Sequence, residues 1–418
     1  SVVVGHDVRL SSPEITQALT NGLTDGRADV INIGQCGTEE VYFATAYLET
    51  DGGIMVTASH NPADYNGMKL VREDARPVSG DTGLEDIRQR VLRNDFGAVG
   101  SRGKVVRQDL RPTYIARLLD YVDTGSVKPF HIVVNAGNGG AGEVIDHLEE
   151  FLPFRFTRVH HEADGRFPNG VPNPLLEESR KPTIDAIREH AADLGVAWDG
   201  DFDRCFFFDA NGRFIESYYI VGLLAGTFLQ RDSNNSIVHD PRLTWNTIDV
   251  VNQSGGTAIC SKTGHAFMKE RMRQENSVYG GEMSAHHYFR DFSYCDSGMI
   301  PWLLIVGLMS SRDKSLAELV DERIAMFPAS GEINRRLRNP KRVIETIETR
   351  YIRDSESVDY TDGLSMEFSD WRFNIRMSNT EPLVRLNVES RRDRLLMMSK
   401  TQDLLALMCD DPVIKKKE

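Results

Sequence analysis

Short runs of aliphatic and β-branched residues alternate with stretches of helical periodicity from the start of the chain. Val2 to Val4, Val30 to Ile33 and Ile54 to Thr57 read as strands, with helices at Pro13 to Leu23 and Glu39 to Leu48 between them. Strands separated by helices predict a largely parallel sheet covered by helices. The polar stretch Asn94 to Arg107 interrupts this pattern and predicts a linker ahead of Pro112. The alternation restarts with strands at His131 to Asn135, Phe154 to Val159 and Gly195 to Trp198 around helices at Gly142 to Phe151 and Pro182 to Ala192. It closes at the turn signal Asp209-Ala210-Asn211-Gly212. A third unit runs through a helix at Ile220 to Leu229, a strand at Ile237 to His239, a helix at Trp245 to Asn252, a strand at Ala258 to Ser261 and a helix at His265 to Arg273. Three similar units in tandem predict an internally repeated α/β architecture. From Phe327 the order changes to a helix at Lys341 to Tyr351, strands at Leu364 to Phe368, Trp371 to Arg376 and Val384 to Ser390, and a helix at Arg394 to Cys409. That order predicts a smaller α+β domain.

A chain of 418 residues is too long for one core, since domains stop growing near about 250–300 residues. The net charge of −13 argues against nucleic acid or an anionic membrane as partner, because both need a basic face. Any anionic substrate must meet locally gathered Arg and Lys. The five cysteines are scattered without C-x-x-C spacing, which indicates neither a disulfide framework nor a zinc site and fits a reducing cytosol. No apolar run reaches the roughly 18 residues of a membrane helix. The expectation is a soluble, cytoplasmic protein. The chain enters a strand directly after Ser1, so a segment upstream is expected to be missing.

Candidate chemistry gathers in four segments. Thr57-Ala58-Ser59-His60-Asn61-Pro62 follows a strand, where open α/β sheets form ligand crevices, and displays Ser59. The G-x-S-x-G elbow of an acyl-transfer serine is absent, and an ordinary turn stays open as a reading. Asp199-Gly200-Asp201-Phe202-Asp203-Arg204 places three carboxylates at alternate positions, on one face if the segment is extended. So many like charges call for a hard divalent cation such as Mg²⁺ unless the segment is an exposed acidic turn. Gly200 is expected to bend the backbone so that the carboxylates converge. In Gly280-Gly281-Glu282-Met283-Ser284-Ala285-His286-His287, alternation puts Glu282 and Ser284 on one face, fit to grip sugar hydroxyls, with His286 able to exchange protons. A structural loop is the plainer alternative. Arg376-Met377-Ser378-Asn379-Thr380-Glu381-Pro382, with Arg385 beyond, has the composition of a phosphate cradle or of a polar hairpin. A fifth segment, Ala136 to Gly142 with Glu162 downstream, approximates a dinucleotide fingerprint, but tight strand-to-helix turning explains its glycines adequately.

Taken together and in this order, the four segments resemble the α-D-phosphohexomutase family, and its bacterial phosphomannomutase branch most. Gly34-Gln35-Cys36-Gly37-Thr38-Glu39-Glu40, Asp64-Tyr65-Asn66-Gly67-Met68-Lys69 and Lys262-Thr263-Gly264-His265 carry the resemblance through essentially the whole chain. It implies three tandem α/β domains (1–108, 109–211 and 212–326) and a smaller C-terminal α+β domain (327–418) around a central cleft. Mannose 6-phosphate and mannose 1-phosphate would interconvert through a phosphorylated Ser59 and a hexose 1,6-bisphosphate, which also serves as activator. By the same resemblance Asp199, Asp201, Asp203 and the Ser59 oxygen would hold Mg²⁺, and Lys69 and His286 would serve acid–base chemistry. Arg204 and Lys262 would be substrate-binding cations, Glu282 and Ser284 would grip the sugar, and Arg376, Ser378, Asn379, Thr380 and Arg385 would clasp the non-reacting phosphate. Its partners would be small hexose phosphates and its state a monomer or homodimer, with the product feeding nucleotide-sugar synthesis. Glucose or glucosamine phosphates are the alternative substrates. A metal-dependent sugar phosphatase and a non-catalytic sugar-phosphate binder are the alternatives of other classes.

Overall fold

The computed structural model describes residues 1–96, 101–377 and 383–409. The described residues form two compact units: Ser1–Ile215 with Lys269–Tyr279 and Ser284–Ala317, and Glu216–Met268 with Gly280–Met283 and the described residues from Glu318 onward.

The first unit begins with a six-stranded sheet in the order Arg76–Pro77, Met68–Arg72, Gly52–Val56, Val2–His6, Val30–Gln35, Val105–Arg107. Val2–His6 is central and parallel to both neighbours, as its fully buried Val3 and Val4 require. Helices Ser12–Asp25 and Thr38–Tyr47 make the crossovers. The stretch expected to be a linker contains a strand instead. Val105–Arg107 pairs in parallel with Val30–Gln35, but its three residues are exposed, so no burial pattern marks it in the sequence.

The second sheet has the order Phe214–Ile215, Cys205–Asp209, Leu194–Trp198, His131–Asn135, Arg155–Val159. Its strand Leu194–Trp198 runs into the three-aspartate segment and returns antiparallel as Cys205–Asp209, a run of Cys and Phe buried on both faces. The expected turn at Asp209–Gly212 leads instead from Cys205–Asp209 into the antiparallel edge strand Phe214–Ile215, with Gly212 N donating to Asp209 O at 2.8 Å. Helix Met299–Arg312 is apolar around most of its circumference and correspondingly buried.

In the second unit, Ser236–His239 pairs in parallel with Thr257–Cys260; helix Ser217–Arg231 precedes the first strand and helix Trp245–Gln253 makes the crossover to the second. The C-terminal α+β domain is an antiparallel sheet in the order Ile333–Arg336, Leu383–Ser390, Trp371–Met377, Leu364–Glu367, Ser357–Asp359. Helices Pro340–Tyr351 and Arg394–Cys409 accompany it, and Ile347, Phe373, Ile375, Leu386, Val388 and Leu404 form its core.

Candidate active site

Strand Gly52–Val56 delivers Ser59 on a loop in which Ser59 itself takes the left-handed conformation, φ 48°. That conformation is held locally by Ser59 N, which donates to Thr57 Oγ1 at 2.9 Å. It aims the Ser59 hydroxyl at Asp199, to whose Oδ2 it donates at 2.8 Å. Arg204 Nε donates to the same oxygen at 2.8 Å, and its Nη2 contacts His60 Nδ1. Burial, and then the Arg204 cation, push His60 down to about 4, so its imidazole is neutral beside the serine.

Asp199, Asp201 and Asp203 are all buried, and their carboxylate oxygens lie within 4.8 Å of one another. Convergence arises differently from the expected extended alternation. The segment is a tight turn, Phe202 N donating to Asp199 O at 3.1 Å, and Phe202 rather than Gly200 takes the left-handed conformation, φ 46°. Gly200 is required for a different reason: a β-carbon there would stand 2.5 Å from the Ser59 carbonyl oxygen. Gly37 and Gly140 likewise make room for the Phe202 ring, at 2.1 and 2.9 Å from their would-be β-carbons. Packing against Gly200 and Phe202 therefore accounts for glycines of the 136–142 segment as well as turning does.

Among the described residues, the buried Asp201 Oδ1 and Asp203 Oδ1 have no hydrogen-bond partner. Orphaned hard-oxygen donors in a trio of buried carboxylates fit a hard divalent cation, which takes oxygen ligands. Lys69 Nζ takes the other two oxygens, 2.7 Å from Asp201 Oδ2 and 2.5 Å from Asp203 Oδ2. Burial works against its charge, but the two carboxylates outweigh it and hold the Lys69 ammonium above its ordinary value. Burial also raises both carboxyls. In Asp201 it is outweighed by Lys69 and the Thr38 hydroxyl, at 2.6 Å, and that group lies below the usual range. In Asp203 burial, with the neighbouring Asp201 and Asp199, outweighs Lys69 and holds the carboxyl above the usual range. His286 Nδ1 stands 2.8 Å from Asp296 Oδ2 and 3.9 Å from Asp203 Oδ1, and Asp296 is paired with the fully buried Lys269 at 2.6 Å. Ser59, Lys69, Asp199, Asp201, Asp203, Arg204 and His286 are thus brought together in the first unit, which also contains the half-buried Ser284.

The second unit contains the remaining candidates. Glu282 is buried, its Oε2 accepting from Gly264 N at 2.9 Å and lying 3.7 Å from Arg242 Nη2. Residues 283 and 284 form a turn and Ala285 has φ 72°, so the expected alternation of Glu282 and Ser284 along a strand does not occur. Arg376 and Arg385 pair directly across adjacent strands, and each lies 3.8 Å from Glu332. Lys262 is exposed, its ammonium 5.8 Å from the centre of the Phe267 ring. Ser378, Asn379 and Thr380 lie outside the described residues.

Sequence reasoning passed over Asp7, Arg9, Asp240, Arg242, Lys269 and Asp296. A signal for the first four existed. His6-Asp7-Val8-Arg9-Leu10-Ser11 recurs as His239-Asp240-Pro241-Arg242-Leu243-Thr244, each time at the end of a strand. Lys269 and Asp296 carry no such signature, because their pairing joins segments far apart in the chain.

Comparison with known proteins agrees with this geometry. The chain matches the phosphoglucomutase/phosphomannomutase α/β/α domain I over residues 1–98, domain II over 112–212, domain III over 216–327 and the C-terminal domain over 332–407. A phosphomannomutase of Escherichia coli (strain K12) is 56% identical over 415 residues, covering 98% of this chain and 91% of the relative. A protein of Xanthomonas campestris pv. campestris (strain B100) named phosphohexose mutases is 56% identical over 407 residues, with 97% and 91% covered. The crystal structure of a phosphoglucomutase/phosphomannomutase family protein from Burkholderia thailandensis superposes with a TM-score of 0.87 at 29% identity, covering 98% of this chain and 89% of that one. The chain therefore belongs to the phosphoglucomutase/phosphomannomutase family, the α-D-phosphohexomutases. It is a phosphomutase, an enzyme of the isomerase class. Such enzymes need a divalent metal, and the acidic trio could bind one.

Proposed function

We propose that this phosphohexomutase interconverts mannose 6-phosphate and mannose 1-phosphate through phosphorylated Ser59 and a hexose 1,6-bisphosphate. The observation that carries the reading is the Ser59 hydroxyl, 2.8 Å from Asp199 at the rim of a carboxylate trio with two orphaned oxygens. In the forward direction the phosphoserine O–P bond breaks as a bond forms from phosphorus to the free sugar hydroxyl, whose proton passes to a base. The bisphosphate then turns round and returns its other phosphoryl group to Ser59. His286 suits the base: its Nδ1 is held 2.8 Å from Asp296 Oδ2, a carboxylate that orients the imidazole and favours its taking up a proton. Lys69, held as an ammonium, suits the acid and the neutralisation of phosphoryl oxygens. Mg²⁺ held by Asp199, Asp201, Asp203 and the Ser59 oxygen would supply the remaining charge neutralisation that phosphoryl transfer requires.

In the same reading Arg204 steadies Asp199, Lys262 and the Glu282–Ser284 segment bind the sugar phosphate, and Arg376 and Arg385, with Ser378, Asn379 and Thr380, bind the phosphate that is not reacting. Relatives named phosphomannomutase at 56–58% identity favour mannose. The Burkholderia thailandensis protein's name, which joins phosphoglucomutase with phosphomannomutase, favours a second reading in which glucose phosphates are accepted as well. The test is intact mass with and without hexose 1,6-bisphosphate, together with coupled assays on mannose, glucose and glucosamine 1-phosphates. One phosphoryl group gained on Ser59, with mannose turned over fastest, is expected. Full turnover by Ser59→Ala rejects the carrier, and dominant glucosamine activity rejects the substrate.

A further inference from the structure

The recurring His-Asp-x-Arg-Leu-[Ser/Thr] segment builds the same local structure twice. Arg9 N donates to Asp7 Oδ1 at 3.0 Å, and Arg242 N to Asp240 Oδ1 at 2.9 Å. Each guanidinium returns to the other oxygen of its own aspartate, from Arg9 Nε at 3.1 Å and from Arg242 Nη2 at 2.6 Å. The preceding histidine contacts the aspartate carbonyl in both, His6 Nδ1 at 2.8 Å and His239 Nδ1 at 2.9 Å. In both, the aspartate also grips a loop that carries candidate site residues. Asp7 Oδ2 accepts from Thr57 Oγ1 at 2.8 Å, and Asp240 Oδ2 from Met283 N at 2.7 Å. The repeat is therefore a device for holding a loop at the end of a strand.

In the first copy the grip is far more extensive. The four remaining donors of Arg9 all go to backbone carbonyls of one loop. Nη2 reaches Ser59 O at 2.9 Å and Asn61 O at 2.7 Å, and Nη1 reaches Pro62 O at 2.5 Å and Tyr65 O at 3.1 Å. All five guanidinium donors are thereby used, and the residue is 1% exposed. Four carbonyls of a seven-residue segment turn towards one cation, a convergence that their mutual repulsion opposes in its absence. The Ser59 carbonyl is caught between Arg9 and the backbone at Gly200.

We propose that Arg9 is a positioning residue of phosphoryl transfer: it folds the 59–65 loop around its guanidinium and thereby fixes the left-handed Ser59 that aims Oγ at Asp199. This rests on the reading of Ser59 as phosphoryl carrier. A purely structural role fits less well, because residues 61–65 are exposed and water can satisfy their carbonyls once the guanidinium is gone. What is lost is the aim of the hydroxyl. Lysine cannot replace it, since a single ammonium carries three donors and no planar fork.

The experiment compares wild type with Arg9→Lys, measuring kcat and KM in the mutase assay, melting temperature, and the rate of Ser59 phosphorylation by hexose 1,6-bisphosphate in rapid quench. Arg9→Lys is expected to lower kcat and the phosphorylation rate about 100-fold, the scale of a 1 Å misplacement, with KM within about threefold. Normal kcat in folded Arg9→Lys overturns the proposal, as does a loss confined to KM. Should Arg9→Lys fail to fold, Asp7→Asn, which leaves the guanidinium but neutralises its anchor, is expected to give a smaller kcat loss, and a normal kcat there overturns the proposal. Unphosphorylated Ser59 in active wild type would instead refute the carrier reading, which keeps the two failures distinct.

Discussion

The carbonyl oxygen of Ser59 occupies the space that a side chain on Gly200 would need, 2.5 Å from the position of its β-carbon. The loop bearing the candidate nucleophile and the loop bearing the candidate metal ligands therefore touch through their backbones, which cannot move aside as a flexible side chain could. Gly200→Ala should separate them. Overpacking of this kind costs about 1–3 kcal/mol, and the displaced Ser59 should lose its hydrogen bond to Asp199. The expected result is a melting temperature lower by a few degrees and a fall in Ser59 phosphorylation of at least about tenfold. Rapid quench and thermal melts check it; unchanged phosphorylation would mean that the contact is incidental.

Lys69 is the cation that joins Asp201 and Asp203, at 2.7 and 2.5 Å, while Arg204 pairs with Asp199. Lys69→Met removes that charge and leaves Asp201 and Asp203 facing one another without it. Breaking a buried pair by removing one partner costs about 3–5 kcal/mol, so the variant should melt well below wild type in chelator. Divalent cations should recover much of the difference, because binding to the folded state alone is stabilising. Titration calorimetry should show Mg²⁺ binding more tightly to Lys69→Met than to wild type. Weaker binding would show that Lys69 does not compete with the cation.

The three aspartates were legible because their spacing demands a neutralising partner in any compact structure. Their means of convergence was not. A left-handed phenylalanine is stable only because Gly37 and Gly140, from two other segments, accept its ring, and local sequence carries no trace of such an arrangement. The α/β order and the C-terminal α+β domain follow from periodicity and burial. Val105–Arg107 was missed because an exposed edge strand has neither, and Cys205–Asp209 because a strand buried on both faces does not alternate. Arg9 went unread because its partners are backbone carbonyls, which have no residue identity.

His287 is fully buried, with Tyr279 Oη 2.7 Å from its Nδ1, and burial followed by the neighbouring His286 pushes its imidazole down to about 3. The unfolded chain protonates this group near 6.5, the native state only near 3. Between those values the unfolded state binds the extra proton. The contribution is therefore complete above about pH 6.5 and declines as pH falls, by about 1.4 kcal/mol for each pH unit. Between pH 6.5 and 5 it should reach about 2 kcal/mol. His287→Gln should melt lower at neutral pH yet lose less on acidification. Parallel melting curves against pH for the two proteins would show that His287 titrates freely in the native state.

Arg376 and Arg385 stand directly opposite each other on adjacent antiparallel strands, an arrangement that repels unless an anion joins them. Glu332 lies 3.8 Å from each and Asp362 lies 3.5 Å from Arg376, distances too long for bidentate pairing. Burial, and then the nearby Arg242, hold Arg376 below the ordinary guanidinium value. A phosphate dianion would relieve that strain by pairing with both guanidiniums. Inorganic phosphate should therefore raise the melting temperature of the wild type. Arg376→Gln should show little such rise, with no loss of stability in phosphate-free buffer, because the repulsion has been removed along with the charge. Its KM for hexose phosphate should increase by about 10- to 100-fold, the range expected for a charge-assisted hydrogen bond. An undiminished phosphate-dependent rise in the variant would remove Arg376 from the phosphate site and leave its pairing with Arg385 without a functional explanation.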